Sequence, residues 1–194
     1  MRRWSRTLAA IVLAGAGLTA ATVPSTALDK GTASTTSCDS GWGSLPRAST
    51  DTGYKPLTAI RTGQHECYDR MVFDVRNTGG RPIGYRVSYV DTLYQDGSGD
   101  PIPVGGGAIL EVRVAAPSYD PNTGKPTYPG RAGQPLPGVD IGGYRTFQDT
   151  RYASSFEGDT QIGLGVRGKL PFRVFQWGDR LVVDVAHSWQ APAG

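Results

Sequence analysis

The chain has 194 residues, 20 basic against 17 acidic side chains, 27 glycines, 14 prolines and two cysteines. No basic cluster occurs beyond the first six residues, so nothing offers the electrostatic footprint that a phosphate backbone requires, and nucleic acid is excluded as a partner. Cys38, Cys67, His65 and His187 lack zinc-ligand spacing, and no metal or cofactor is expected.

Residues 1–27 read as an export signal. Arg2, Arg3 and Arg6 precede an apolar run from Leu8 to Val23, and Ser25 and Ala27 place small residues at −3 and −1 of a cut after Ala27. A membrane span needs about 20 strongly apolar residues, and this run is shorter and weaker, so the exported chain is expected to hold no integral membrane segment. Cys38 lies too far beyond the run for a lipoprotein cleavage box. The leader carries three arginines and no acid, so 20 less 3 leaves 17 basic against 17 acidic. The sequence pI of 8.9 therefore belongs largely to the discarded piece. The expected location is secreted or extracellular, with cell-wall association.

Residues 28–41 are rich in Thr, Ser, Asp and Gly and read as a flexible tether. Two cysteines in a chain bound for an oxidising compartment predict a disulfide, Cys38 to Cys67, which would staple the N-terminal arm to the first strand. The chain-entropy model gives such a loop roughly 3–4 kcal/mol.

The domain, 42–190, contains no sustained helical spacing. Short apolar segments bounded by turn residues predict an all-β fold, a β-sandwich of antiparallel strands with one disulfide. Strands are expected over 70–76, 85–93, 109–115, 161–167, 172–177 and 181–186. Leu110, Val112 and Val114 alternate with Glu111 and Arg113, and Ile162, Leu164 and Val166 alternate with Gly163, Gly165 and Arg167. Gly178-Asp179 marks a hairpin between the last two strands. Asp96-Gly97-Ser98-Gly99-Asp100 reads as a turn and lacks the ligand series of a calcium loop. The segment 117–143 is a long loop with six prolines, and Tyr119 and Tyr128 are its candidate ligand-facing rings.

An internal echo carries the most information. Arg70-Met71-Val72-Phe73-Asp74-Val75 and Arg180-Leu181-Val182-Val183-Asp184-Val185 share the form Arg-apolar-Val-apolar-Asp-Val. With a period of two, Met71, Phe73, Leu181 and Val183 should be buried while the Arg/Val/Asp faces are more exposed. As antiparallel neighbours in register 70:184, 72:182 and 74:180, the strands would place each Arg opposite an Asp. Arg70, Asp74, Arg180 and Asp184 are therefore candidate ligand-binding residues, together with Trp177 among the aromatics near strand ends (Trp42, Tyr54, Tyr68, Trp189).

Catalytic signals are sparse. There is no Gly-x-Ser-x-Gly elbow, and His65-Glu66-Cys67 is not His-Glu-x-x-His. Paired carboxylates of a wall hydrolase would have to come from Glu157, Asp159 and Asp184. His187 reads as a packed or capping residue.

Phe172-Arg173-Val174-Phe175, followed by Gly178-Asp179 and the closing strand Arg180-Leu181-Val182-Val183-Asp184-Val185, resembles the AMIN (amidase N-terminal) domain. Further matching stretches make the chain similar to the AMIN-like domain of secreted actinobacterial proteins. These are Trp42-Gly43, Arg61-Thr62-Gly63 with His65, Cys67-Tyr68-Asp69-Arg70, Phe73-Asp74, Gly84-Tyr85, Asp96-Gly97-Ser98-Gly99 and Phe156-Glu157-Gly158. The resemblance implies a β-sandwich, and relatives in AMIN proper bind peptidoglycan. It carries over no catalytic residue, and no amidase domain is expected beside it. The function expected is a non-catalytic envelope-binding module whose partner is a cell-wall glycan or an envelope protein. A wall hydrolase and a purely protein-binding module are the rivals.

Mature protein is expected to begin near Leu28. Intact-mass analysis of secreted material checks this, and a retained N-terminus would refute the export reading.

Overall fold

The computed structural model describes residues 42–51 and 53–189. The expected leader and tether lie outside them, and so does Cys38. All described residues belong to the unit spanning Ser37–Gly194.

Eleven strands run in chain order: β1 Arg47–Ser49, β2 Leu57–Gln64, β3 Tyr68–Val75, β4 Tyr85–Val90, β5 Leu93–Tyr94, β6 Pro101–Ile102, β7 Ala108–Val114, β8 Phe147–Phe156, β9 Asp159–Val166, β10 Phe172–Trp177 and β11 Arg180–Ala186. They form a five-stranded sheet, β1-β4-β7-β9-β8, a four-stranded sheet, β10-β11-β3-β2, and a small β5-β6 pair. All pairings are antiparallel. The core lies between the two large sheets. Val87, Leu110, Val112, Ile162 and Leu164 of one face Met71, Phe73, Leu181, Val183 and Phe172 of the other, all fully buried.

The all-β, two-sheet expectation holds, with one correction to the fold class. Among the described residues no Sγ–Sγ contact in the disulfide range closes the sandwich, and Cys38 lies outside them. Cys67 is not a free thiol.

The six predicted strands are present, 172–177 with the same ends and the others with at least one end shifted by one to three residues. The 85–93 segment stops at Val90, and Leu93–Tyr94 pairs instead with Pro101–Ile102. β2 and β8 were not predicted. Both carry bulges, between Leu57 and Ala59 in β2 and at two places in β8, which break the period of two.

The β5–β6 hairpin and the segment after it cover the outer face of the five-stranded sheet. Leu93 and Ile102 bury themselves on Ala153, with Val104 and Ile109 packed alongside. Buried Gln161 anchors the hairpin. Its Nε2 donates to the Tyr94 carbonyl (2.8 Å) and Glu111 (2.6 Å), and its Oε1 accepts from Asp96 N (3.0 Å) and Ser154 Oγ (3.1 Å). The cover fits only because β9 has glycine at 163 and 165. A Cβ on Gly165 would overlap the Gly105 carbonyl, and one on Gly163 would crowd Leu93. The 96–100 turn is tied down by Arg113, whose guanidinium pairs with Asp96.

The long 117–143 segment is a structured flap. Ser118 O accepts from Thr127 N (2.8 Å) and Tyr128 N (3.1 Å), and Tyr119 bridges Pro126. Tyr128 and Leu136 are buried in the main core.

Gly165→Ala should lower stability by about 1–3 kcal/mol, because a Cβ must displace the covering backbone. Urea unfolding checks this. A midpoint equal to the parent's would show that the cover does not press on β9.

Candidate ligand-binding face

One face of the five-stranded sheet lies in the core and the hairpin covers part of the other, leaving Arg86 of β4 exposed there, whereas the outer face of β10-β11-β3-β2 has no such hairpin over it. The expected register is observed: Asp184 lies opposite Arg70, Val182 opposite Val72, and Arg180 opposite Asp74. β10 adds Arg173 beside Asp184, Phe175 beside Val182 and Trp177 beside Arg180, and β2 adds Arg61 beside Val72. Every second residue on each strand faces outward, so these side chains form a lattice three rows deep.

The first row is built on Asp184, which is fully buried. Arg70 donates through Nε to Oδ1 (2.7 Å) and through Nη2 to Oδ2 (2.9 Å), and Arg173 Nε donates to Oδ2 (2.8 Å). Aromatic rings pack on the two guanidiniums. That of Arg173 lies 4.3 Å from the Trp42 ring centre and 5.0 Å from Phe175, and that of Arg70 lies 5.2 Å from Tyr68. His65 stacks on Tyr68 at 4.4 Å. In the third row Asp74 accepts two bonds from Arg61 (2.6 and 2.7 Å) and one from Arg180 (3.2 Å), whose guanidinium sits 5.8 Å from the Trp177 ring.

One part of the facing expectation is corrected. Met71, Phe73, Leu181 and Val183 are buried as predicted, but Val182 and Asp184 are buried as well. The long side chains of flanking strands, Arg70, Arg173 and Phe175, fold over central β11 and exclude water from its outer face. Arg180, Arg61 and Trp177 stay exposed, the last at 64 %.

The hydrogen bonds from Arg61 hold the Asp74 carboxyl below the usual carboxylate range, with partial burial opposing and Arg180 assisting. The guanidiniums of Arg61 and Arg70 are pushed up by hydrogen bonds to Asp74 and Asp184. Four arginines meet two aspartates on this face, so two cationic charges remain unbalanced.

The structure therefore gathers five of the seven candidates, Arg70, Asp74, Arg180, Asp184 and Trp177, into one lattice. Tyr119 and Tyr128 lie elsewhere, at a cleft under the flap, and Tyr128 is a core residue there. Sequence reasoning missed Arg61, Arg173 and Phe175. The alternation Arg173-Phe175-Trp177 against Phe172-Val174-Gln176 was the signal that could have found two of them.

The carboxylates considered for hydrolysis are not brought together. Asp184 belongs to the four-stranded sheet, whereas Glu157 and Asp159 sit in the β8–β9 hairpin of the other. An Asp–His contact does exist: His187 Nε2 lies 3.0 Å from Asp69 Oδ1. Its Nδ1, however, faces the Glu66 carbonyl at 3.0 Å, and buried Asp69 also accepts from Thr146 N (2.6 Å) and Phe147 N (3.2 Å). Neither ring nitrogen is open to a nucleophile, so this pair ties the end of β11 to β3 and β8. Among the described residues no group of three metal-ligating side chains converges.

The model of the AMIN-like domain matches residues 55–187, well over half of the chain. The chain belongs to the AMIN-like domain family. No curated protein and no solved structure matches it. The matched span of the AMIN-like domain contains β2 to β11 and thus both aspartates and all four arginines of the lattice. Trp42, which covers Arg173, lies outside it. No helix among the described residues is long and apolar enough to cross a membrane.

The depressed Asp74 carboxyl sets a pH dependence. Its contribution is present above the unfolded value of about 3.9 and is lost as pH falls through the folded value. Asp74→Asn should therefore flatten the acid limb of stability below about pH 4, while costing only ~0–1 kcal/mol at neutral pH because the pair is partly exposed. Urea unfolding across the acid range checks it, and acid limbs of equal slope would refute it.

Proposed function

We propose that this AMIN-like domain is an exported, non-catalytic envelope module that holds peptidoglycan on the outer face of its four-stranded sheet. The observation that carries the reading is the lattice itself: exposed Trp177 and partly exposed Phe175 set between guanidiniums that outnumber their carboxylates by two. Ring faces pack against the C–H surfaces of sugars, and guanidiniums bond bidentately to carboxylates. A broad, nearly flat platform suits an extended polymer better than a small substrate in need of enclosure. An envelope protein is the second reading. It is favoured by β10, an edge strand of this sheet, which could accept an added strand beside the same side chains.

Purified peptidoglycan should retain the exported protein and lose at least tenfold affinity for Trp177→Ala and Arg180→Ala. Both residues are exposed, and the variants should keep the parent's melting temperature. Retention should weaken several-fold, without vanishing, between low and moderate salt, because the surplus charge is small. The same material should release no soluble fragments on incubation. Full retention by both variants would refute the assigned face. Fragment release would favour the hydrolase, and absence of retention the protein partner.

A further inference from the structure

A second feature plays no part in the outer face. A cleft of about 390 Å³ opens under the flap, between Ser118, Tyr119, Pro126 and Arg131 on one side and Tyr152 and Ser155 of β8 on the other. Three of its properties bear on what it would take.

The first is charge. Arg131 is the only charged residue in the lining, and it is exposed. Its guanidinium has no ion-pair partner among the described residues, unlike Arg61, Arg113 or Arg151, each of which holds a carboxylate. One guanidinium with no competing acid suits a single carboxylate, received on its planar fork of donors.

The second is a hydroxyl count. Ser118 Oγ and Tyr152 OH lie 2.8 Å apart, both residues being more than nine-tenths buried, and Ser155 lines the cleft beside them. Ser155 Oγ accepts from Ser118 N at 2.9 Å. Three hydroxyls carry three protons, and even a chain of two bonds through Ser118, Tyr152 and Ser155 would use only two of them. One O–H of the three is therefore left to donate. Burial pushes the Tyr152 hydroxyl above its ordinary value, so its own proton stays in place.

The third is the walls. Tyr119 is half-buried and lines the cleft with Pro126 and Pro129, while Gly130 lies so close to the Tyr152 ring that a Cβ there would overlap it. These are flat, rigid, apolar surfaces that meet a ligand at little entropic cost. They suit the C–H face of a saturated ring, and the donors around them call for a ligand rich in acceptors.

We propose that this cleft is a second ligand site, taking a pyranose that bears a carboxylate, with the ring against Tyr119, the carboxylate on Arg131 and a sugar oxygen accepting the remaining O–H.

The test uses the exported chain with methyl β-D-glucuronide and methyl β-D-glucoside, which differ in the carboxylate. Titration followed by amide chemical shifts should show the glucuronide binding at least tenfold more tightly than the glucoside. Shifts should be confined to residues 118–131 and 152–155, with the Trp177 indole unmoved. Arg131→Ala should remove the tenfold preference and leave the glucoside unaffected, and Tyr119→Ala should weaken both sugars by threefold or more. Equal affinities, absence of binding, or shifts centred on Trp177 would each overturn the proposal. Tighter binding of glucose 6-phosphate than of the glucuronide would also overturn it, in favour of a phosphate site.

Discussion

Taking a carboxylate out of water costs several kcal/mol unless donors replace the lost hydration. Asp184 meets that condition with three guanidinium N–H bonds from two arginines, one on each neighbouring strand. The arrangement requires that β10, β11 and β3 stand in one register, since a slip by one residue would turn the arginines to the core and leave the charge alone. Removing one partner of such a buried pair typically costs about 3–5 kcal/mol, far more than an exposed pair contributes. The order of the open sheet, the position of its rings and the spacing of its free donors all follow from where this one carboxylate is held.

The echo of Arg-apolar-Val-apolar-Asp-Val was legible because it combines two independent signals, a period of two and charges of opposite sign at matching ends. Together these fixed the partners of Arg70 and Arg180, which periodicity alone cannot do. Burial of Asp184 was not legible, because it depends on Arg173 and Phe175 reaching over from a strand outside the repeat. β8 was missed for a different reason. Its two bulges put Phe147 out of step with Thr150 and Tyr152 and break the alternation again after Tyr152, and Gln148, Asp149 and Arg151 make the rest look like loop. The flap between 117 and 143 read as an open loop from its prolines, yet Tyr128 and Leu136 in it belong to the core. Proline and glycine report where the chain turns and carry no information on whether the turns pack.

Two kinds of surface therefore coexist on one small sandwich. The sheet face offers rings and guanidiniums already engaged with each other, a rigid platform that loses little freedom on contact. Arg173 is half-exposed while bonded to Asp184 and covered by Trp42, so its remaining N–H groups point from a fixed base. The cleft under the flap is held by side-chain hydroxyls and backbone turns, and its single cation has no ion-pair partner among the described residues. The first surface is suited to repeated, weak contacts along a polymer, the second to one small group.

The hairpin seated on Gly163 and Gly165 has a further consequence. By covering the back of the five-stranded sheet over β7, β9 and β8, it leaves the rings and surplus guanidiniums of the open sheet on one side of the domain. If that side is the one that meets a wall polymer, as proposed, the particle lies down on it in a single orientation, and anything joined to the covered side would face away from the layer.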